Sequence, residues 1–384
     1  MLYWFLLWRE FKLSIAEILA VFPNAKIIYS WKSVLILNWI TKEEILQKAD
    51  NLWWTIKIFE LNLKTDKQEI FEEVLEYAKT KDWKFNYWFN LFPEKQEKIK
   101  KYLIEIKRFL QKNWISSRYV NKNDKNLSSA QILGNNLLKK WIDFNLVDLN
   151  WIFYFWKTIW VQNIDEYSSR DYGKSRDMQT WMLPPKLAQI MINLSLSSNN
   201  SVLSSIYDPF VGLWTILIEA KRMWIKWLCG SDLNEKMVEL AKQNSNWKIE
   251  KLNAKFVNEV SFWDEIKTWN IVTEWYLWEI MTRKNISFDR IKKQKESLKK
   301  IYEWFFSSLK KWWFFWNIVI SFPFWDLNWK YIFLEEIYDI LNKYCEIQAL
   351  FPSEFNFKET KSWSLLYKRA KQLVGREIFK LKIK

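Results

Sequence analysis

The 384 residues contain no histidine, five glycines, seven prolines and two cysteines. Without histidine there is no Ser-His-Asp triad, no imidazole general base and no histidine-bearing zinc site. Cys229 and Cys345 are too few for a disulfide framework or an all-cysteine zinc site, so no metal is expected and a reducing cytoplasm suits the chain. The longest uncharged aromatic run, residues 312–325, is shorter than the ~20 residues needed to cross a bilayer. Met1-Leu2-Tyr3 lacks the basic start of a signal peptide. A cytoplasmic protein without membrane contact is the expectation.

Glycine is the most telling shortage. About 7% is usual, yet here five glycines stand beside 29 tryptophans. Trp follows Asn at Asn38-Trp39, Asn113-Trp114, Asn150-Trp151, Asn246-Trp247 and Asn328-Trp329. Asn-Gly is the strongest short turn signal, and such turns ask for positive φ, which a bulky side chain resists. The pattern is that of a conceptual translation in which UGA is written as Trp although the source organism reads it as Gly. Most tryptophan positions are then glycine in the protein as made.

What the chain has in excess is positive charge. Lys and Arg number 59 against 44 Asp and Glu, a formal +15. Folding does not require such a surplus, and a polyanion is the natural partner. Residues 355–384 hold nine Lys/Arg against Glu359 and Glu377, which makes that end a candidate nucleic-acid contact through Lys368, Arg369, Lys371 and Arg376. Arg118, with Lys98, Lys101, Lys107 and Arg108, forms a second basic stretch.

Hydrophobic patterning predicts a small α/β unit over residues 1–60. It has strands at Leu2–Leu7, Ala25–Ile28 and Ser33–Leu37, a helix over Leu13–Val21 with a Ser14/Glu17 capping box, and a helix over Lys42–Asn51. Residues 61–165 form a second segment, in which Ile99, Leu103, Ile106 and Leu110 share one face of a helix from Glu94 to Lys112. Residues 166–182 are polar and charged, as a linker would be. From residue 183 to 384, helices alternate with short apolar strands, the pattern of a parallel α/β sheet.

The stretch most informative about chemistry is Ile206-Tyr-Asp-Pro-Phe-Val-Gly-Leu-Trp-Thr215. With glycine at 214 it reads as a strand, a two-glycine turn and a helix start, where bare backbone can approach a cofactor. A second apolar strand then ends at Cys229-Gly230-Ser231-Asp232, which places a carboxylate where ribose hydroxyls need an acceptor, or where it caps the following helix.

Asp208-Pro209-Phe210, Gly212 and Thr215 to Ala220 together resemble the S-adenosylmethionine motif of RNA methyltransferases that carry a THUMP domain, the tRNA guanosine-N2 group in particular. Leu127-Ser128-Ser129-Ala130 resembles the THUMP signature, and Trp181 to Ala188 resembles the entry to the catalytic domain. Leu366 to Arg369 and Val374 to Glu377 resemble the final strand region of close relatives. The resemblance implies an α/β chain whose C-terminal domain is a Rossmann-like class I methyltransferase, a mostly parallel seven-stranded sheet. N-terminal α+β ferredoxin-like (1–60) and THUMP-like (61–165) domains would precede it.

The implied cofactor is S-adenosylmethionine, bound by Asp208, Phe210, Gly212, Trp214 (as glycine), Thr215, Asp232 and Asn253. The implied partner is tRNA. The usual Asp/Asn-Pro-Pro-Tyr of the fourth motif is replaced by Thr273-Glu274-Trp275-Tyr276, which leaves Thr273, Glu274 and Tyr276 as the catalytic candidates. Tyr276 would stack on an extruded base and Glu274 would accept from its amine. That departure keeps two alternatives open: an RNA-binding protein on a degenerate methyltransferase scaffold, and a DNA methyltransferase.

Overall fold

The structure, a computed structural model of the full chain, describes every residue except 32, 65, 82–83, 121–124, 150–151, 164–182, 197–204, 213, 244–247, 252–258, 260, 262–263, 265–268, 275–280, 284, 315, 353–362 and 371. Two units divide it, Met1–Ile15 with Asn24–Lys174, and Ala16–Pro23 with Ser175–Lys384. The division falls in the stretch expected to be a linker, most of which lies outside the described residues.

The elements up to residue 161 are β1 (Leu2–Leu7), α1 (Phe11–Val21), β2 (Lys26–Trp31), β3 (Val34–Asn38), α2 (Lys42–Lys48), β4 (Thr55–Lys64), α3 (Lys67–Lys79), β5 (Phe85–Phe92), α4 (Gln96–Lys112), β6 (Ser117–Tyr119), α5 (Ser129–Gly134), β7 (Ile142–Leu149) and β8 (Ile152–Val161). The eight strands follow the order β2-β3-β1-β4-β8-β7-β5-β6. β4 pairs with β1 on one edge and with β8 on the other, both antiparallel. The expected domain boundary at residue 60 therefore falls inside a strand whose two ladders join both halves. Ile99, Leu103, Ile106 and Leu110 of α4 are all buried, on the face their spacing predicts.

The Ser14/Glu17 capping box does not form, because α1 begins three residues earlier and the Ser14 hydroxyl donates to the Trp54 carbonyl at 3.0 Å. A capping box is present instead at the start of α5, between Ser128 and Gln131, inside the Leu127–Ala130 stretch. A buried network anchors this loop. Leu127 N donates to Asn90 Oδ1 at 2.9 Å, Asn90 Nδ2 to Asp143 Oδ1 at 2.7 Å, and Lys57 Nζ to Asp143 Oδ2 at 2.9 Å. Burial pushes the Lys57 ammonium below its usual range, and Asp143 opposes that shift.

The second unit carries α6 (Pro185–Leu196), β9 (Ser205–Asp208), α7 (Thr215–Arg222), β10 (Trp227–Asp232), α8 (Glu235–Gln243), β11 (Lys248–Lys251), β12 (Asn270–Glu274), α9 (Phe288–Lys311), β13 (Ile318–Leu327), β14 (Lys330–Phe333), α10 (Glu336–Tyr344), β15 (Cys345–Ile347), β16 (Leu365–Tyr367) and β17 (Val374–Ile383). The main path of its sheet is β11-β10-β9-β12-β13-β17-β15. β9 to β13 are parallel, and β17 runs antiparallel between β13 and β15. This is the expected Rossmann-like methyltransferase architecture. β13 is buried from Ile318 to Trp325, as a central strand covered on both faces must be. On one face Tyr302, Phe305, Phe306 and Leu309 of α9 share a core with Ile320, Phe322 and Phe379.

Backbone conformation bears directly on the tryptophan question. Of the eight non-glycine residues at positive φ among those described, six are tryptophans: Trp39, Trp114, Trp214, Trp224, Trp313 and Trp329. Three of them close helices. After α4, Trp114 N donates to Gln111 O and Ile115 N to Leu110 O; after α7, Trp224 N donates to Lys221 O and Ile225 N to Ala220 O; after α9, Trp313 N donates to Lys310 O and Phe314 N to Leu309 O. These are paired Schellman bonds, and each tryptophan holds the left-handed position that glycine ordinarily fills. Trp114 and Trp224 are almost wholly exposed, at 96% and 89%. The same motif ends α5 with Asn136, a residue that tolerates the left-handed region.

Candidate active site

The strand order reverses between β9 and β12, since the chain moves outward from β9 through β10 to β11 and then returns to the other side of β9. In open α/β sheets ligands bind at the carboxyl ends of the strands flanking such a reversal. Here those ends carry acid: β9 ends at Asp208, β10 at Asp232 and β12 at Glu274.

Asp208 is buried, and its Oδ1 accepts from Phe210 N at 3.1 Å and from the Thr273 hydroxyl at 2.7 Å. Burial pushes its carboxyl up to about 7, against the pull of the Thr273 and Phe210 donors; the charges of Asp232 and Glu274 add to the rise. Asp232 holds the turn that follows Asp208. Its Oδ2 accepts from Gly212 N at 2.8 Å and its Oδ1 from Asn234 N at 2.8 Å. Burial also raises this carboxyl, and the backbone donors counter it. Asp232 does not cap α8; Asn234, which accepts from Lys236 N, stands at that position.

Two glycines make room for the turn. Gly212 has φ +43°, and a Cβ there would meet nothing nearer than Phe210 O at 3.7 Å, so its outer side is open. A Cβ at Gly230 would lie 2.9 Å from Val211 Cγ2 and 3.1 Å from Asp208 O, so only glycine lets the turn cross β10. Trp214 precedes α7 at φ 47°, again a left-handed residue. Thr215 is the buried first residue of α7, and Phe210 packs on Phe305 with ring centroids 5.5 Å apart.

Glu274 lies in register with Ser321 of β13, and Ser321 with Ile378 of β17. Arg376 stands two residues before Ile378 and so on the same face of the sheet. Its Nε donates to Glu274 Oε1 in a buried ion pair. Burial raises the Glu274 carboxyl, and Arg376 acts against that rise.

The structure thus brings together Asp208, Phe210, Gly212, Trp214, Thr215, Asp232, Thr273 and Glu274. Asn253 and Tyr276 lie outside the described residues, as does Lys371. The C-terminal basic patch does not survive as a phosphate-facing surface. Arg376 is 1% exposed and paired with Glu274, because β17 runs through the interior of the sheet. Lys368 is held by Asp326 Oδ2 at 2.7 Å and by the Gln372 carbonyl. Arg369 is exposed, with its Nε on the Tyr367 hydroxyl, and Arg118 is exposed on β6 in the other unit. The signal that could have placed Arg376 correctly is its setting: a Gly-Arg-Glu triplet inside the apolar strand Val374–Ile383 implies buried, paired charge.

Among the described residues no group of three acidic or cysteine side chains could hold a metal ion, and no helix is long and apolar enough to cross a membrane. No protein-family model and no curated protein matches the sequence. Among solved structures, TrmN from Thermus thermophilus is 12% identical, with 100% of each chain covered and a TM-score of 0.47. A predicted N6-adenine-specific DNA methylase from Listeria monocytogenes is 11% identical over 98% of this chain and 95% of its own, with a TM-score of 0.45.

Proposed function

We propose that this chain is an S-adenosylmethionine-dependent methyltransferase that modifies the exocyclic N2 amine of a guanosine in tRNA. One observation carries the reading: three carboxylates end three neighbouring parallel strands around a glycine turn at the point where strand order reverses. A rim with that much negative charge suits a cofactor bearing a positive charge, and the open side of Gly212 lets such a group lie against backbone. The one residue that does not fit is Trp214 as written, and glycine there removes the conflict.

S-adenosylmethionine, when bound, supplies the electrophilic methyl group. The remaining work belongs to the chain. Asp232 keeps lone pairs on both oxygens for ribose hydroxyls while its backbone bonds fix the turn. Asp208, oriented by Thr273, faces the cationic part. Glu274, oriented by Arg376, accepts from the target amine and leaves the nitrogen lone pair free to attack. No group has to shuttle protons through an imidazole; direct transfer depends on holding two substrates in line. The N-terminal unit would dock RNA through shape and phosphate contacts.

The test is transfer of labelled methyl to bulk tRNA or to duplex DNA by chain made with UGA read as glycine. N2-methylguanosine in tRNA is the expected product. Label in DNA alone, or in neither, contradicts the reading.

A further inference from the structure

Arg376 is buried at 1% exposure, and only its Nε is engaged, by Glu274. Nη1 and Nη2 are buried without a hydrogen-bond partner. The hydroxyl of Ser321, on the same face of the sheet and in register with Glu274, is likewise buried and without one. Leaving such donors unmet is expensive, and native interiors nearly always satisfy them. The backbone at this point is also held firmly. Gly375 carries the Phe324 ring directly against its Cα, so close that a Cβ would lie 2.1 Å from Cζ. The fork of Arg376 is therefore aimed by its strand rather than free to seek a partner elsewhere.

The charge balance narrows what can meet it. Glu274 already neutralises the guanidinium, and Asp208 adds further negative charge nearby. A phosphate or carboxylate would bring like charge to this edge. A neutral group with two acceptor atoms in one plane would satisfy Nη1 and Nη2 without that repulsion. Guanine offers such a pair in O6 and N7, whereas adenine places an N6 amine donor where O6 would be.

We infer that Arg376 is a specificity-determining residue that reads O6 and N7 of the substrate guanine, while the Glu274 it holds accepts from the base's amine. This rests on the proposed function and adds how guanine is told from other amine-bearing purines.

The test compares kcat/KM for RNA carrying guanosine, 2-aminopurine ribonucleoside or 7-deazaguanosine at the position the parent chain methylates. 2-Aminopurine keeps the amine and lacks O6; 7-deazaguanine lacks N7. Each analogue should react at least about tenfold more slowly, because a site built to donate hydrogen bonds is left unpaired without the acceptor. Arg376→Met should slow guanosine while erasing the discrimination, and Arg376→Lys, which keeps charge beside Glu274, should retain only part of it. S-adenosylmethionine affinity, read separately by calorimetry, should be unchanged in both variants. The analogue comparison on the parent chain stands even if a variant fails to fold. Equal rates on guanosine and both analogues, or full discrimination by a folded Arg376→Met, would overturn the assignment of Arg376 alone. A parent that binds cofactor but methylates no RNA overturns the functional reading and this inference with it.

Discussion

The Thr273 hydroxyl donates to Asp208 Oδ1 at 2.7 Å, joining the carboxyl ends of β9 and β12 across the reversal in strand order. Sixty-five residues separate the two in sequence. The bond aims one carboxylate oxygen at Thr273 and leaves the other for a ligand, so Asp208 links the geometry of the site to its titration.

Asp208 titrates at about 7 in the folded chain, above its ordinary 3.8. The folded state therefore binds more protons than the unfolded one between about pH 4 and 7. This group's contribution to stability falls as pH rises through that window and levels off above it. A cationic cofactor prefers the ionised form, so its affinity should instead rise as pH passes through 7. Calorimetric titration at pH 6, 7 and 8 should show that rise in the parent and a flat profile in Asp208→Asn.

The three helix-closing tryptophans give a stability prediction. A β-carbon residue in the left-handed region costs roughly 1–2 kcal/mol relative to glycine, so Trp114→Gly, Trp224→Gly and Trp313→Gly should each raise the thermal midpoint. Trp88→Gly, at a fully buried position with negative φ, gives the opposite sign for a chain that has tryptophan there. Loss of that side chain should then destabilise by about 3–5 kcal/mol. Destabilisation by all three helix-end changes in a thermal melt would argue that tryptophan is the residue the fold uses there.

Lys57 and Asp143 are almost fully buried and bonded to each other at 2.9 Å. Asp143→Ala leaves the ammonium without its carboxylate and releases Asn90, which holds the loop at Leu127. Removal of one partner of such a pair costs about 3–5 kcal/mol. Denaturant unfolding should show a loss in that range, with recovery in Lys57→Met/Asp143→Leu, where no charge is left buried.

With Arg376 and Lys368 engaged inside the second unit, the exposed cations of α4 and β6 become the better partners for phosphate. Replacing Lys101, Lys107, Arg108 and Arg118 with alanine should weaken tRNA binding and flatten its salt dependence, by about 0.7 to 0.9 in log–log slope for each phosphate that is no longer neutralised. Cofactor affinity should not change. A filter-binding series over several salt concentrations reads the slope, and an unchanged slope places the RNA elsewhere.

Much of the second unit was legible because its signals are local. Short apolar strands alternate with helices, and Asp208 to Thr215 and Cys229 to Asp232 each form a contiguous strand end. The α4 face was legible for the same reason, since Ile99, Leu103, Ile106 and Leu110 recur at helical spacing. What could not be read was long-range pairing. Nothing near Arg376 in sequence says that β17 passes beside β13 and brings it to Glu274, 102 residues away. A run of basic residues looks the same whether it is solvated or threaded through a sheet. The boundary at residue 60 failed for a related reason: β4 reads as the end of one pattern, and only its ladder to β8 shows that it begins another. The tryptophan excess was visible in composition, but the reason it matters at Trp114, Trp224 and Trp313 is backbone geometry.

The most direct measurement is calorimetric titration of S-adenosylmethionine into two full chains, both made with UGA read as glycine and differing only in whether position 214 keeps tryptophan. The account predicts binding by the chain with glycine at 214, and a loss of at least about tenfold, or 1.4 kcal/mol, when an indole stands between Gly212 and the start of α7. Equal binding by the two chains, or binding by neither, would contradict it.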